Sequence, residues 1–127
     1  MLEAITAMAS VIGDPYLLML IAVTTVLGIV IGVLPGLGAT TGAALLLPFT
    51  LTMSPVNAIA VLATLYVSAT FAGSITAILI NTPGTSAAAA TTFDGFPLAQ
   101  RGEAGRALGI AVVSSTIGGI FSIIVLC

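Results

Sequence analysis

Two short stretches of this sequence combine residue types that can hold an anion. The first offers Gly36, Gly38, Thr40 and Thr41 just after Pro35; the second offers Asn81, Thr82, Gly84, Thr85 and Ser86 around Pro83. Proline lacks an N–H and clashes with the preceding helical turn, and glycine reaches backbone angles closed to other residues, so a continuous helix is not expected through either stretch. A helix that restarts after such a break presents unpaired N–H groups and the positive end of its dipole, which favour an anion. Hydroxyl and amide side chains add donors. Carbonyls freed near Pro35 and Pro83 can hold a coupling Na⁺. The competing reading is that both breaks are structural turns with capping hydroxyls. The two stretches also echo one another: Leu34-Pro35-Gly36-Leu37-Gly38-Ala39 and Thr82-Pro83-Gly84-Thr85-Ser86-Ala87 share the order x-Pro-Gly-x-small-Ala. Paired interruptions of apolar segments are the sequence pointer to a transporter site.

The chemistry on offer is binding, and the sequence reads as a non-enzyme with no catalytic residue. It contains no histidine, no Gly-x-Ser-x-Gly elbow and no paired carboxylates in its apolar segments. A metal cluster of the usual kind is not expected, and the lone Cys127 cannot form an internal disulfide. With two basic and four acidic residues there is no basic patch, and no nucleic-acid partner is expected.

The elements that must position these residues are membrane helices. Hydrophobic residues make up 59% of the chain and charged residues 5%, with a mean hydropathy of +1.32; an average soluble domain is about 25% charged. No charge occurs from Pro15 to Phe93 or from Ala107 to Cys127. The expected fold class is therefore all-α, a polytopic integral membrane protein with broken or re-entrant helices in a lipid bilayer. Met1 to Gly13 is an amphipathic lead, a poor match to a cleaved signal because it carries Glu3 and no basic residue. Asp14-Pro15 and Ser54-Pro55 are cap-plus-proline helix starts. They open spans at 15–34 and 56–80, and a third runs over 107–127. The 39–53 segment, interrupted by Pro48, is too short to cross alone and reads as a half-helix, re-entrant or crossing.

Thr24, Gly28, Gly32 and Gly36 form a small-residue ladder suited to close helix packing, as do Gly105, Gly109, Ser114, Gly118 and Ser122. Ala60, Thr64, Ser68, Ala72 and Thr76 form a stripe that packs or lines a pathway. Phe93 to Pro97 is read as a tight turn, with Asp94-Gly95 as its turn pair in preference to a proton-coupling carboxylate. Arg101 and Arg106 place the 81–106 loop on the cytoplasmic side.

At this point the residues resemble a family. Gly32-Val33-Leu34-Pro35-Gly36-Leu37-Gly38, Ala44-Leu45-Leu46-Leu47-Pro48, Gly73 to Gly84 and Asp94-Gly95-Phe96-Pro97-Leu98-Ala99 look like the large membrane subunit, TctA-type, of the tripartite tricarboxylate transporters. The resemblance implies a multi-pass secondary carrier of the bacterial inner membrane. Such a carrier takes up tricarboxylates or related carboxylates with a small membrane subunit and a periplasmic solute-binding protein, driven by Na⁺ or H⁺ and without an organic cofactor. Members are several times longer, so residues 1–127 read as one transmembrane region from the N-terminal part of a larger transporter domain. A non-transporting scaffold subunit and a truncated fragment without function are the alternatives. The Tyr66 to Ala72 stretch departs from the family's Tyr- and Gly-rich pattern, which leaves the substrate open.

Overall fold

The computed structural model describes residues 2–126, which form helices joined by short turns, with no strand among them. α1 covers Leu2–Gly13, α2 Pro15–Val33, α3 Ala39–Thr50, α4 Pro55–Ile80, α5 Ala89–Leu98 and α6 Ala104–Leu126. A 3₁₀ turn at Ser86–Ala88 leads into α5, and a π turn at Ala99–Glu103 joins α5 to α6. The all-α membrane class expected from the sequence is the one found. Pro15–Val33, Pro55–Ile80 and Ser86–Leu126 each contain a stretch long and apolar enough to cross a bilayer. Cys127 lies outside the described residues.

The helix starts follow from local chemistry. Asp14 Oδ1 accepts the Tyr16 N–H at 3.0 Å and Ser54 Oγ accepts the Asn57 N–H at 3.5 Å, with proline at each first position where no N–H is required. Large apolar side chains such as Val26 and Val30 on α2 and Phe121 and Ile124 on α6 remain exposed, as lipid-facing side chains do.

Packing centres on α4. Thr24, Gly28 and Gly32 of α2 are buried on it, and a Cβ at Gly32 would stand 2.7 Å from the Ala69 Cα, so only glycine permits this approach. Gly28 faces Leu65 and Ser68 while Gly32 faces Ala69, so the numbers rise together and α2 is parallel to α4. α3 runs the other way: Gly42 packs beside Leu65, while Ala39 to Thr41 share a cavity with Tyr66 and Thr70. The four-residue turn before α4 requires that antiparallel arrangement. α2 and α3 are thus a hairpin with both feet at the Pro55 end of α4. Its tip reaches the level of Thr70, roughly 22 Å along α4 at 1.5 Å per residue.

From the other end of α4 the chain dips to meet that tip. Asn81 closes α4 in the left-handed conformation (φ 55°), and the Gly84 N–H donates to the Gly73 carbonyl at 3.3 Å. α5 then climbs back to Ile78. α6 descends antiparallel to α4, with Ala107 and Ile110 beside Ile78 and with Val112 and Thr116 beside Val67 and Phe71.

Three sequence expectations need correcting. Phe93 to Pro97 is no tight turn but the second half of α5, and most of the 81–106 loop is helical with it. Gly95 is buried because a Cβ there would stand 2.7 Å from Ile78 Cγ1; the glycine serves close approach, not chain reversal. The reversal falls at Gly102 (φ 84°) in the π turn. Next, the glycines of the α6 ladder meet no partner among the described residues: a Cβ at Gly105, Gly109 or Gly118 would touch nothing within 4 Å, and of that ladder Ser114 borders α4 and α5. Finally, the half-helix expected over 39–53 ends at Thr50 and accommodates Pro48 in its last turn.

Candidate functional site

The two proline–glycine breaks meet. Gly84 is pressed between the Gly32 carbonyl oxygen and the Gly73 Cα, so three glycines from α2, α4 and the second break let the backbones touch. Above this contact lies a cavity of about 430 Å³ lined by Gly36, Gly38, Thr40 and Thr41 from the first break, Gly84, Thr85 and Ser86 from the second, and Tyr66 and Thr70 from α4. Among the described residues no charged side chain lines it.

The first wall is the start of α3. Gly38 is its N-cap, at φ 30° and ψ 163°, and Gly36 has φ 93°, both in the range that favours glycine. The first bond of the helix runs from the Gly42 N–H to the Gly38 carbonyl at 3.2 Å, and Gly38 has no side chain to cap the turn. The N–H groups of Ala39, Thr40 and Thr41 are left with the positive end of the helix dipole. The second wall carries Thr85, whose Oγ1 is buried without a hydrogen-bond partner among the described residues. Buried hydroxyls are rarely left so, and this one stands beside Gly73 at the cavity wall.

Hydroxyl commitment separates packing from site. Ser68 donates to the Thr64 carbonyl at 2.7 Å and Thr76 to the Gly73 carbonyl at 3.1 Å, so these two hydroxyls of the α4 stripe spend their protons on their own backbone. The hydroxyls of Thr40, Thr41, Thr85 and Ser86 donate to no group among the described residues. Asn81 and Thr82 do not join them: both take the Thr76 carbonyl with their N–H groups, and Thr82 Oγ1 donates to Ile80 O at 3.3 Å. They finish α4. Sequence reasoning missed Tyr66 and Thr70 as cavity residues. A tyrosine within an otherwise uncharged, largely aliphatic span was the available signal. Thr70 gives its own proton to the Tyr66 carbonyl at 2.7 Å and therefore faces the cavity as an acceptor.

The described residues thus form a membrane-type helical bundle in which two broken segments flanking α4 line one polar cavity. The chain belongs to the tripartite tricarboxylate transporter TctA family, whose model matches residues 18–127. It is also 45% identical over 104 residues to an uncharacterized 52.8 kDa protein from the TAR-I ttuC′ 3′ region of Agrobacterium vitis. That alignment covers 82% of this chain and 21% of the relative, so the chain spans about a fifth of that protein's length. No solved structure matches it.

Proposed function

We propose that the chain forms one wall of the solute path in the membrane subunit of a carboxylate carrier, and that the cavity between the two breaks receives a carboxylate group. The observation that carries this is the convergence of an uncapped helix N-terminus and an unpartnered buried hydroxyl on one cavity. Its volume lies within the range of about 300–1,000 Å³ usual for small-molecule sites. In a low-dielectric site a carboxylate held by N–H and hydroxyl dipoles needs no buried lysine or arginine, and such a site releases its ligand more readily than an ion pair would. That suits a carrier.

Family membership supports the rest of the proposal: a tricarboxylate or related carboxylate as substrate, a small membrane subunit and a periplasmic solute-binding protein as partners, and the bacterial inner membrane as location. Coupling to Na⁺ or H⁺ follows the same reading, with carbonyls near Pro35 and Pro83 as one place for the cation. The experiment compares Gly38→Val and Thr40→Ala in the carrier that contains this segment, scoring membrane level and binding of radiolabelled citrate. Gly38→Val is expected to insert and lose binding, whereas Thr40→Ala weakens it moderately. Normal binding by Gly38→Val would reduce the first break to a turn.

A further inference from the structure

The first helix contributes nothing to the cavity between the breaks. α1 has 12 residues, about 18 Å at 1.5 Å per residue, which is too short to cross a bilayer. Its described side chains are exposed apart from a half-buried Val11, and the exposure is of two kinds. Leu2, Ile5, Ala9 and Ile12 recur at helical spacing on one stripe, with Leu2 81%, Ile5 59% and Ile12 69% exposed. Glu3, Thr6 and Ser10 follow one another at the same spacing on a second stripe. Thr6 donates to the Leu2 and Glu3 carbonyls at 3.1 and 3.0 Å and Ser10 to the Ala7 carbonyl at 2.8 Å, so this stripe presents acceptor oxygens and one carboxylate.

The junction with α2 fixes where the helix lies. A single residue, Asp14, separates Gly13 from Pro15, and its carboxylate caps α2. A charged side chain is costly in hydrocarbon, so Asp14 stays at the water boundary. Tyr16, 58% exposed in the first turn of α2, has the amphipathic ring that suits the headgroup level. The bilayer surface therefore passes through Asp14 to Tyr16, and α1 ends on it. Asp14 is extended (φ −97°, ψ 106°), as the residue before a proline tends to be, so α1 and α2 are two helices rather than one rod standing out of the membrane. Beyond that point the exposed apolar stripe of α1 continues onto Leu18 and Met19, on the lipid-facing side of α2.

Charge selects the kind of surface. From the start of the chain to Phe93 the charged side chains are Glu3 and Asp14, and the arginines come later, at the other end of α4. Surface helices commonly carry lysine or arginine on the polar face, which draws them to anionic lipid. This one carries a carboxylate there. We propose that α1 lies in the plane of the bilayer interface, with Leu2, Ile5 and Ile12 sunk among the acyl chains, and that its partners are zwitterionic headgroups, whose ammonium groups meet Glu3. The inference does not depend on what the cavity binds.

The test uses the full chain with Cys127 replaced by serine, reconstituted in phosphatidylcholine vesicles. Nitroxide labels are placed in turn at Ile5→Cys, Ile12→Cys and Ser10→Cys, all exposed positions where a label disturbs no packing. Collision with oxygen, which concentrates in the bilayer, is compared with collision with a water-soluble nickel chelate. Oxygen contact is expected to dominate at Ile5 and Ile12, about 5–10 Å below the headgroup boundary, and chelate contact at Ser10. Equal chelate contact at Ile5 and Ser10 would place α1 in water and overturn the proposal. So would shielding of Ile5 and Ile12 from both reagents, which means that a second copy of the chain covers the stripe. Replacing part of the phosphatidylcholine with phosphatidylglycerol is expected to leave the pattern unchanged or to raise chelate contact at Ile5. Deeper burial of Ile5 in those anionic vesicles would overturn the assignment of a zwitterionic surface.

Discussion

At the scale of single residues, Thr85 allows the sharpest separation of binding from folding. Removing a hydrogen-bond partner normally leaves a buried group unsatisfied, but Thr85 Oγ1 has no partner among the described residues to leave behind. Thr85→Val replaces that hydroxyl with a methyl group of similar shape, so the fold should be unharmed or slightly stabilised. A hydrogen bond to a charged ligand contributes about 1.5–3 kcal/mol, so carboxylate affinity should fall roughly 10- to 150-fold. Equilibrium binding of citrate beside Tm in the same preparation checks both halves. Glycines at the cavity divide in a similar way. A Cβ at Gly36 meets nothing within 4 Å, yet its φ of 93° makes Gly36→Ala strained, at a cost of about 1–2 kcal/mol. Gly84→Ala meets the Gly32 carbonyl and the Gly73 Cα, backbone that cannot step aside, and should destabilise the contact between the breaks more than Gly36→Ala does. Tm of the two variants gives the order.

At the scale of elements, the sequence was most legible where local rules act alone. The Asp14-Pro15 and Ser54-Pro55 starts, the apolar spans and the two breaks all rest on near-neighbour chemistry, and they stand in the structure within a residue or a few. Contacts between elements were less legible. Asp94-Gly95 has the letters of a turn, and only the approach of Ile78 from α4 turns Gly95 into a packing residue inside a helix. Tyr66 likewise acquires its place from the return of α3, which no local pattern records. The α2 ladder was readable because its spacing is itself a packing signal, and it yields a graded prediction. A Cβ at Gly28 meets the Ser68 hydroxyl and a Cβ at Gly32 meets the backbone of Ala69. Gly28→Ala should therefore be partly rescued by Ser68→Gly, whereas Gly32→Ala, which no side-chain change relieves, should lose about 1–3 kcal/mol through overpacking. Denaturation of the single and double variants in one detergent distinguishes them; equal losses with no rescue would refute the parallel α2–α4 packing.

At the scale of the whole molecule, the direction of α3 fixes the relation of the two ends of the bundle. Because α2 and α3 share the Pro55 end of α4, the α1–α2 junction and the arginine-bearing turn after α5 fall at opposite ends. With Cys127 replaced by serine, cysteines placed at Ser10 and at Gln100, both exposed, should be labelled by an impermeant maleimide from opposite sides of the membrane. Same-side labelling would mean that α3 re-enters from the far face. The openness of the architecture leads to a second expectation. Of α6 only Ala107 is buried among the described residues, and the cavity between the two breaks has walls from α3, α4 and the breaks, with none from α6 among the described residues. Alternating access requires one bundle to rock against another around a shared site, and a site at such an interface needs both walls. On the proposed function this chain, whose alignment spans about a fifth of its relative's length, forms one of them. Proteoliposomes containing residues 1–127 alone should therefore bind carboxylate weakly and show no ion-driven accumulation. Accumulation of citrate against its gradient in those vesicles, abolished by collapsing the ion gradient, would show that the two breaks suffice for transport without a facing bundle.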